Sequence, residues 1–527
     1  MKVIYLSTLL AFAVTTDIES NPRNATTPDI GAYEFNGTID PTDMSPLAGI
    51  YTIDNTLSMQ NRNYNSFQAA IDELVERGMS DTVVFQVTAG QVHSPASTTT
   101  DNCLILTRLG SETKPISFVK SGSGANPLLQ FAGTGYNEAA FYIENSTYLT
   151  FDGLDIEDVG TNARYVEWGF YLGNSSHITI TNCNIRMRNA SGCYGIYLYA
   201  ANSHHYFKNN NITQVERGYY FYGMDEDNHI EGGVIDSVSY GVSLRNLQPN
   251  IIIEKLKIFG YNNSGYGIDL YTGNNQRIIN NVVAGFASSI RKSSSNMEDT
   301  LYLAHNTIYN LPASGQYTYC FDYNATYGKV ILQNNIMINK STANASCIFL
   351  YNINHILSGS NNNLYGMGAG NVLYLYPSTY VKNVNSYKEL LDNGAESNSV
   401  QWDVQFESVV PPYNLNVKTD IPTKAESGRQ VITRFAVITD IDDNPHHATT
   451  PDIGAYEFID TVDTTDISPL AGVYTIDNTL PTEKRNFNSF KEAIETLNFR
   501  GASDTVIFEV MSEQIHLIKI KSFLFCI

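Results

Sequence analysis

Between residues 149 and 337 the apolar positions recur in a short unit. The segments LTFDGLDI (149–156), ITITNCNI (178–185), HYFKNNNI (205–212) and NHIEGGVI (228–235) open the series. IIIEKLKI (251–258), QRIINNVV (276–283), LYLAHNTI (301–308) and VILQNNIM (330–337) continue it. Each has an apolar third and eighth position, with Asn, Gly or a small residue common at the fifth and sixth. Successive eighth positions are 29, 27, 23, 23, 25, 25 and 29 residues apart. A second apolar unit falls once in every period: GFYLG (169–173), GIYLY (195–199), GYYFY (218–222), GVSLR (241–245) and GIDLY (267–271). SIRKS (289–293), CFDYN (320–324) and CIFLY (347–351) keep its phase. Alternation within five residues predicts a strand whose second and fourth side chains point inward. Two strands per period, at constant phase and with irregular turns between, predict the coils of a parallel β-helix, a period in the range of solenoids. A propeller blade of four strands fits the spacing less well. Asn tolerates left-handed backbone and bonds neighbouring amides. Asn210, Asn281, Asn306 and Asn335 are therefore expected to stack as an architectural ladder.

Ahead of the coils, Asn65-Ser66 precede Phe67, Ala70, Ile71, Leu74 and Val75, with Gly78 after them. This is an amphipathic helix with an N-cap and a terminating glycine. The strand TVVFQV (82–87) follows. Such a helix is expected to cover the open end of the coil stack, where unpaired edges invite aggregation.

A longer repeat is superimposed. Asp17 to His93 recurs, without a gap, as Asp440 to His516 at an offset of 423. TTPDIGAYEF stands at 26–35 and 449–458; SPLAGIYTIDNTL at 45–57 returns as SPLAGVYTIDNTL at 468–480. The expected division is the end of a preceding module with its linker (1–44), one whole module (45–439), a closing segment with linker (440–467), and the start of a further module (468–527). A partial repeat cannot bury its apolar face, so residues 468–527 are expected to be poorly folded unless they pack on something. Lys2, the apolar run Val3 to Leu10 and Ala11-Phe12-Ala13 outline a short signal peptide over 1–13. The repeat itself reaches back to Phe12-Ala13-Val14, matching Phe435-Ala436-Val437, so a signal peptide and a broken module compete for that segment.

Composition narrows the partners. With 32 basic and 53 acidic residues the net charge is −21, which repels phosphate backbones and anionic membranes. Nucleic acid is therefore not an expected partner. No apolar run is long enough to span a bilayer. Cysteines 103, 183, 193, 320, 347 and 526 form no CxxC pair and no zinc spacing. Cys320 and Cys347 fall in one phase on adjacent coils, close enough for a disulfide but pointing the same way, so free buried thiols are expected. Asp225-Glu226-Asp227 could offer oxygen to calcium, yet it matches no EF-hand loop and reads as a solvated turn. No other cofactor or metal is expected.

Taken together, the coils and cap resemble the pectin-lyase-like right-handed parallel β-helix superfamily, over roughly residues 65–440. The SPLAG-YTID and TTPDIGAYEF flanks resemble those bracketing β-helix modules in large surface or secreted proteins of Bacteroidetes-type bacteria. The resemblance implies an all-β right-handed solenoid, an extracellular or cell-surface setting, and a monomeric unit within a longer multi-module chain. It does not fix function, because this fold carries lyases, hydrolases, adhesins and tailspikes. The enzymatic branches' motifs are missing. There is no NTD, no Gly-His-Gly and no RIK, and RIIN (277–280) is only a superficial echo; Asp442-Asp443 lies past the coils. There is likewise no WIDH and no RxPxxR; Trp168 sits in VEWGF and Trp402 in QWDVQ. The leading expectation is a non-catalytic, adhesin-like or structural protein. The alternative is a polysaccharide-active lyase or hydrolase, since two carboxylates on adjacent coils could still serve.

No catalytic residue is assigned. The outward positions of the second strand give the candidate ligand-binding face: Tyr197, Tyr199, Tyr220 and Tyr222, continued by Arg245, Asp269 and Tyr271. Flat rings with hydroxyl edges suit sugars, so a polysaccharide or surface glycan is the expected partner. The competing reading is a ladder of tyrosines that only stabilises the sheet.

Overall fold

The computed structural model describes residues 45–60, 62–95, 104–133, 137–160, 165–188, 190–261, 263–297, 299–311, 317–341, 345–366, 371–391, 393–419, 423–426, 437–458, 469–482 and 485–511, with a few positions between 15 and 23. The expected signal peptide (1–13), the first TTPDIGAYEF copy (26–35), Cys103, Cys526 and the tail after 511 lie outside the described residues.

Each coil contributes to three parallel ladders, and the fold is a right-handed parallel β-helix. Motif position three forms an inward column in the first ladder: Phe118 pairs with Phe151, Phe151 with Ile180, and Ile180 with Phe207. Position eight forms the column of the second ladder, where Ile156, Ile185, Ile212 and Ile235 are in register. The third ladder aligns Phe141, Phe170, Ile196 and Tyr219. Stacked rings extend the core along the axis: Phe85 lies 4.8 Å from Phe118, and Phe118 lies 5.5 Å from Phe151.

The expectation of two strands per coil is corrected to three ladders, because the eight-residue unit bends in its middle; only strands Tyr206–Thr213 and His229–Val238 run through the bend unbroken. The fifth position adopts left-handed backbone throughout: Gly153, Asn182, Asn209, Gly232, Lys255, Asn280, His305 and Asn334 have φ between 52° and 70°. The reason is geometric. Positions three and eight both face inward, yet they stand five positions apart, and an unbent strand would send them to opposite faces. One left-handed residue turns the chain and restores the phase. Lys255 and His305 adopt this conformation without the tolerance of Gly or Asn. Their side chains make compensating contacts described below.

The glycine second in the third-ladder strands from Gly169 to Gly267 has its own cause. A Cβ on Gly195 would lie 2.5 Å from Ile212 and 2.7 Å from the Gly218 carbonyl; Gly218 and Gly241 are crowded in the same way. In these coils the second and third ladders approach too closely for a side chain, whereas the later coils hold Ser289, Cys320 and Cys347 at the same position.

The asparagine ladder forms as expected over its later rungs. The Asn281 backbone and side-chain amides both donate to Asn306 Oδ1, and those of Asn306 donate to Asn335 Oδ1. Asn335 continues in the same way to Asn362. Asn362 in turn donates to the buried carboxylate of Glu396 at 2.9 and 3.1 Å. Asn210 stands apart from this run: its oxygen accepts from Cys183 N and its amide donates to the Ile180 carbonyl.

Helix Phe67–Arg77 closes the first coil. Ser66 Oγ accepts from Ala69 N at 3.1 Å, Gly78 ends the helix at φ 66°, and Phe67, Ala70, Ile71 and Leu74 are buried. Val75, counted with the apolar stripe, is exposed instead. At the far end a helix absent from the expectations, Val384–Leu390, buries Val384 and Tyr387. The closing segment does not trail away. Residues 437–458 lie back along the outer side of the second ladder, where Ile441, Ile453, Ala455 and Tyr456 cover Val282, Ala284, Ile336 and Ile338. Gly454 N donates to the Asn334 carbonyl, and His305 Nδ1 lies 3.2 Å from the Gly454 carbonyl. Lys255 binds Thr439 and Asp443, and Lys257 binds Asp442.

Residues 469–511 rebuild the start of the module with the same parts: strands Leu470–Ile476, Asn486–Phe487 and Ala502–Val510 around helix Phe490–Arg500. Their apolar residues form a separate cluster. Phe508 is only partly buried, whereas its counterpart Phe85 is fully buried. Cys183, Cys193, Cys320 and Cys347 are buried free thiols; burial pushes the Cys183 and Cys193 thiols up to about 12 and about 11.

Candidate functional site

The outer face of the third ladder carries three rows of side chains along the axis. The middle row aligns Tyr142, Tyr171, Tyr197 and Tyr220, then Ser243, Asp269, Arg291 and Asp322. The expected strand phase is correct: Ile196 and Leu198 are fully buried, Tyr197 and Tyr220 are half-buried, and Tyr199 and Tyr222 are 45% and 46% exposed. The outermost row opens with Thr107, Glu144 and Gly173, passes through Tyr199 and Tyr222 and continues to Arg245 and Tyr271. Backbone amides of Arg245, Ser293, Asn324, Tyr351 and Tyr376 each donate one coil back, so the row runs on in register.

The first row was missed. Trp168, Tyr194, Arg217, Tyr240 and Tyr266 precede the glycine from which the motif was read, and they align across successive coils. The strands hold five or six residues from this position, and the outward parity of the residue before Gly was the available signal. These side chains pack closely. Trp168 lies 5.1 Å from Tyr197, Tyr194 lies 4.9 Å from Tyr220, and Arg217 stacks over Tyr240 at 4.0 Å.

Two features differ from expectation. Tyr197 stacks on Tyr220 at 5.3 Å and 10°, and Tyr199 on Tyr222 at 6.0 Å and 3°. Cross-strand stacking turns ring faces toward each other and leaves edges and hydroxyls outward. Asp269 is the second. It leaves the coil outward but is 0% exposed, because Arg245 binds it at 2.7 Å. Arg291 pairs with Asp322 at 3.5 Å and lies over Tyr266, and Arg217 pairs with Glu216 at 3.2 Å. Burial pushes the Asp322 carboxyl up to about 6, against the pull of Arg291 and a Ser288 hydrogen bond.

The acidic loop is not a solvated turn throughout. Asp225 is buried, accepting from Asn202 N at 2.9 Å and from Gln248 at 3.0 Å, and burial raises it to about 6. Glu226 and Asp227 remain exposed. Asp225 thus belongs to the polar spine inside the turn, and the three carboxyls do not converge on calcium. His229, Glu231 and Glu254 do converge, with ligand atoms within 4.8 Å of one another. His229 already bonds Glu254 at 2.7 Å, and Glu231 already holds Lys208 at 2.8 Å and the Tyr206 hydroxyl. One nitrogen and two carboxylates fall short of calcium's six to eight oxygens. Next to them, a groove of about 320 Å³ runs between the coil and the closing segment, lined by Lys208, Glu231, Lys255, Lys257, Asp442 and Asp443.

Residues 122–235, which carry Tyr197 to Tyr222 and their coils, match the family described as "Right handed beta helix region". That segment is a right-handed β-helix. Among solved structures, the β-helix is similar to pectate lyase Pel9A, at 14% identity over 79% of this chain and 98% of that one, with a TM-score of 0.46. It is also similar to the alginate lyase from Paenibacillus sp. str. FPU-7, at 12% identity over 60% and 94% of the two chains, with a TM-score of 0.33. The Dettilon tailspike protein matches at 12% identity over 62% and 68%, with a TM-score of 0.36. No curated protein sequence matches the chain. Among the described residues no helix is long and apolar enough to cross a membrane.

Proposed function

We propose that this chain is a secreted or cell-surface β-helix protein, non-catalytic and adhesin-like, that binds a polysaccharide or surface glycan along the outer face of its third ladder. Its module, residues 45–439 sealed by 440–458, is a monomeric unit of a larger multi-module chain. The observation that supports this reading is the outermost row. Hydroxyl, guanidinium and amide groups repeat there coil after coil over a tyrosine-rich floor, which suits a hydroxyl-lined ligand. The hydroxyl edges, rather than the ring faces, are the recognising groups. Glycan-array binding tests it: wild type should retain a subset of glycans, and Y199A/Y222A should bind them about tenfold more weakly while keeping a cooperative melting transition. Equal binding by both proteins leaves the face a structural surface.

A second reading, a polysaccharide-active hydrolase, draws on Asp322. Its raised carboxyl sits two coils from Asp269, about 10 Å along the axis. Both carboxylates are enclosed and paired with arginine, which favours the non-catalytic reading. Release of reducing ends from any glycan, lost in D322N, would reverse that order.

A further inference from the structure

We infer that the ligand of this face is a neutral, hydroxyl-rich glycan lying along the helix axis, and not a uronate or sulfated polymer. The inference rests on the glycan-binding reading above and narrows its ligand class.

Charge is the first argument. Three arginines lie on this face, and arginine is the residue best shaped to grip carboxylate or sulfate. None is free to do so. Arg217 pairs with Glu216, Arg245 with Asp269 and Arg291 with Asp322. Two of the three are further held over tyrosine rings, Arg217 at 4.0 Å and Arg291 at 4.5 Å. The face is therefore close to neutral on a chain of net charge −21, whose field opposes a polyanion's approach. An anionic sugar that displaced Asp269 or Asp322 from its arginine would leave that carboxylate buried and unpaired, a large cost.

The exposed row is the second argument. Tyr199, Tyr222, Tyr271, Ser293, Tyr351 and Tyr376 offer hydroxyls, and hydroxyls both donate and accept. Sugar hydroxyls do the same, whereas a carboxylate or sulfate only accepts. No Asp or Glu interrupts the row from Tyr199 to Tyr376, and its single charge, on Arg245, is neutralised by Asp269. The groups repeat about every 4.8 Å along the axis, close to the length of one pyranose residue. An extended chain parallel to the axis thus meets one rung per sugar, while a chain running across the coils meets two or three.

The test uses the full chain against two immobilised panels, one of neutral polysaccharides (mannan, xyloglucan, mixed-linkage β-glucan, galactan) and one of polyanions (polygalacturonate, alginate, dextran sulfate), at low and high salt. Retention by a neutral polymer is expected, with affinity changing by less than about twofold between salts and falling about tenfold in Y199A/Y222A. E216Q/D322N, which unpairs Arg217 and Arg291, should gain affinity for polygalacturonate that high salt removes. Tyrosine-dependent, salt-sensitive binding of polyanions by the wild type would overturn the neutral-ligand inference while leaving the glycan face standing. Failure of both panels would overturn the glycan-binding reading itself.

Discussion

At the scale of single residues, burial decides what a polar group does, and Glu396 is the clearest case. Its carboxylate is fully buried at the end of the asparagine ladder, and burial raises it to about 7 despite hydrogen bonds from Asn362 and Ser399. A carboxyl raised above its unfolded value of about 4.5 binds its proton more tightly in the folded protein. Its contribution is therefore complete below pH 4.5 and is lost as pH rises through about 7. Wild type should lose on the order of 3 kcal/mol relative to E396Q between these limits, measured by urea melts of both proteins across that range. His205 and His305, buried and lowered to about 3, act in the opposite direction on acidification, so the difference between the two proteins isolates Glu396. The alternation of the third ladder yields a second expectation. I196D or L198D places a charge in the stacked core and should give no folded protein. Y199A should cost under about 1 kcal/mol, and Y197A about 2 kcal/mol, because Tyr197 is packed against Trp168, Tyr194 and Tyr220. Inward and outward were legible from alternation alone. The burial of Asp225 and Asp269 was not, because it depends on Gln248 from the following coil and Arg245 from the preceding one.

At the scale of elements, the same ladder that was readable as a column of asparagines is a chain of matched donors and acceptors. N306A would leave the buried Asn281 backbone amide without its partner and remove the side-chain bonds from Asn281 to Asn306 and from Asn306 to the Ile278 carbonyl. It should lower stability by about 3 kcal/mol or more in urea melts. S66A, which removes only the cap of the first helix, should cost about 1 kcal/mol. The extra ladder was present in the sequence as the odd spacing between positions three and eight. It was not legible because eight residues fit the length of a single strand. The covered side of the second ladder was also written there, since Ile336-Met337-Ile338 is apolar on both faces. What covers it could not be read, because the closing segment returns from more than a hundred residues away. Gly454 makes that return possible. Its φ is 106°, and a Cβ there would lie 2.7 Å from both Ile336 Cδ1 and Thr307 Oγ1. G454V should release residues 437–458 to protease while the coils keep their melting transition.

At the scale of the whole molecule, the two copies of the module's opening differ in what lies beyond them. Strand Met79–Thr88 is paired on both sides, with Leu47–Ile53 and with Ile116–Ser121. Strand Ala502–Val510 is paired on one side only among the described residues, and Ile507 and Val510 are exposed. Amides of 502–510 should exchange hydrogen far faster than those of 79–88 in a mass-spectrometric time course. Protease should cut first in the polar stretch 459–467 and leave a core that ends near 458, because the closing segment is part of the packed body. Comparable protection of the two strands would mean that residues 469–511 are buried against a neighbour.

The return of the closing segment also sets where mechanical load would travel. The end of the closing segment is packed beside His305 and Asn334, partway along the coils, not on the last turn. A pull between residues 45 and 458 would thus run from the capped end to the contact at Gly454 and stop there. The turns built by strands Ala345–Leu350 and Asn371–Leu375 lie beyond that anchor. They would carry no tension and keep their shape while the strap yields.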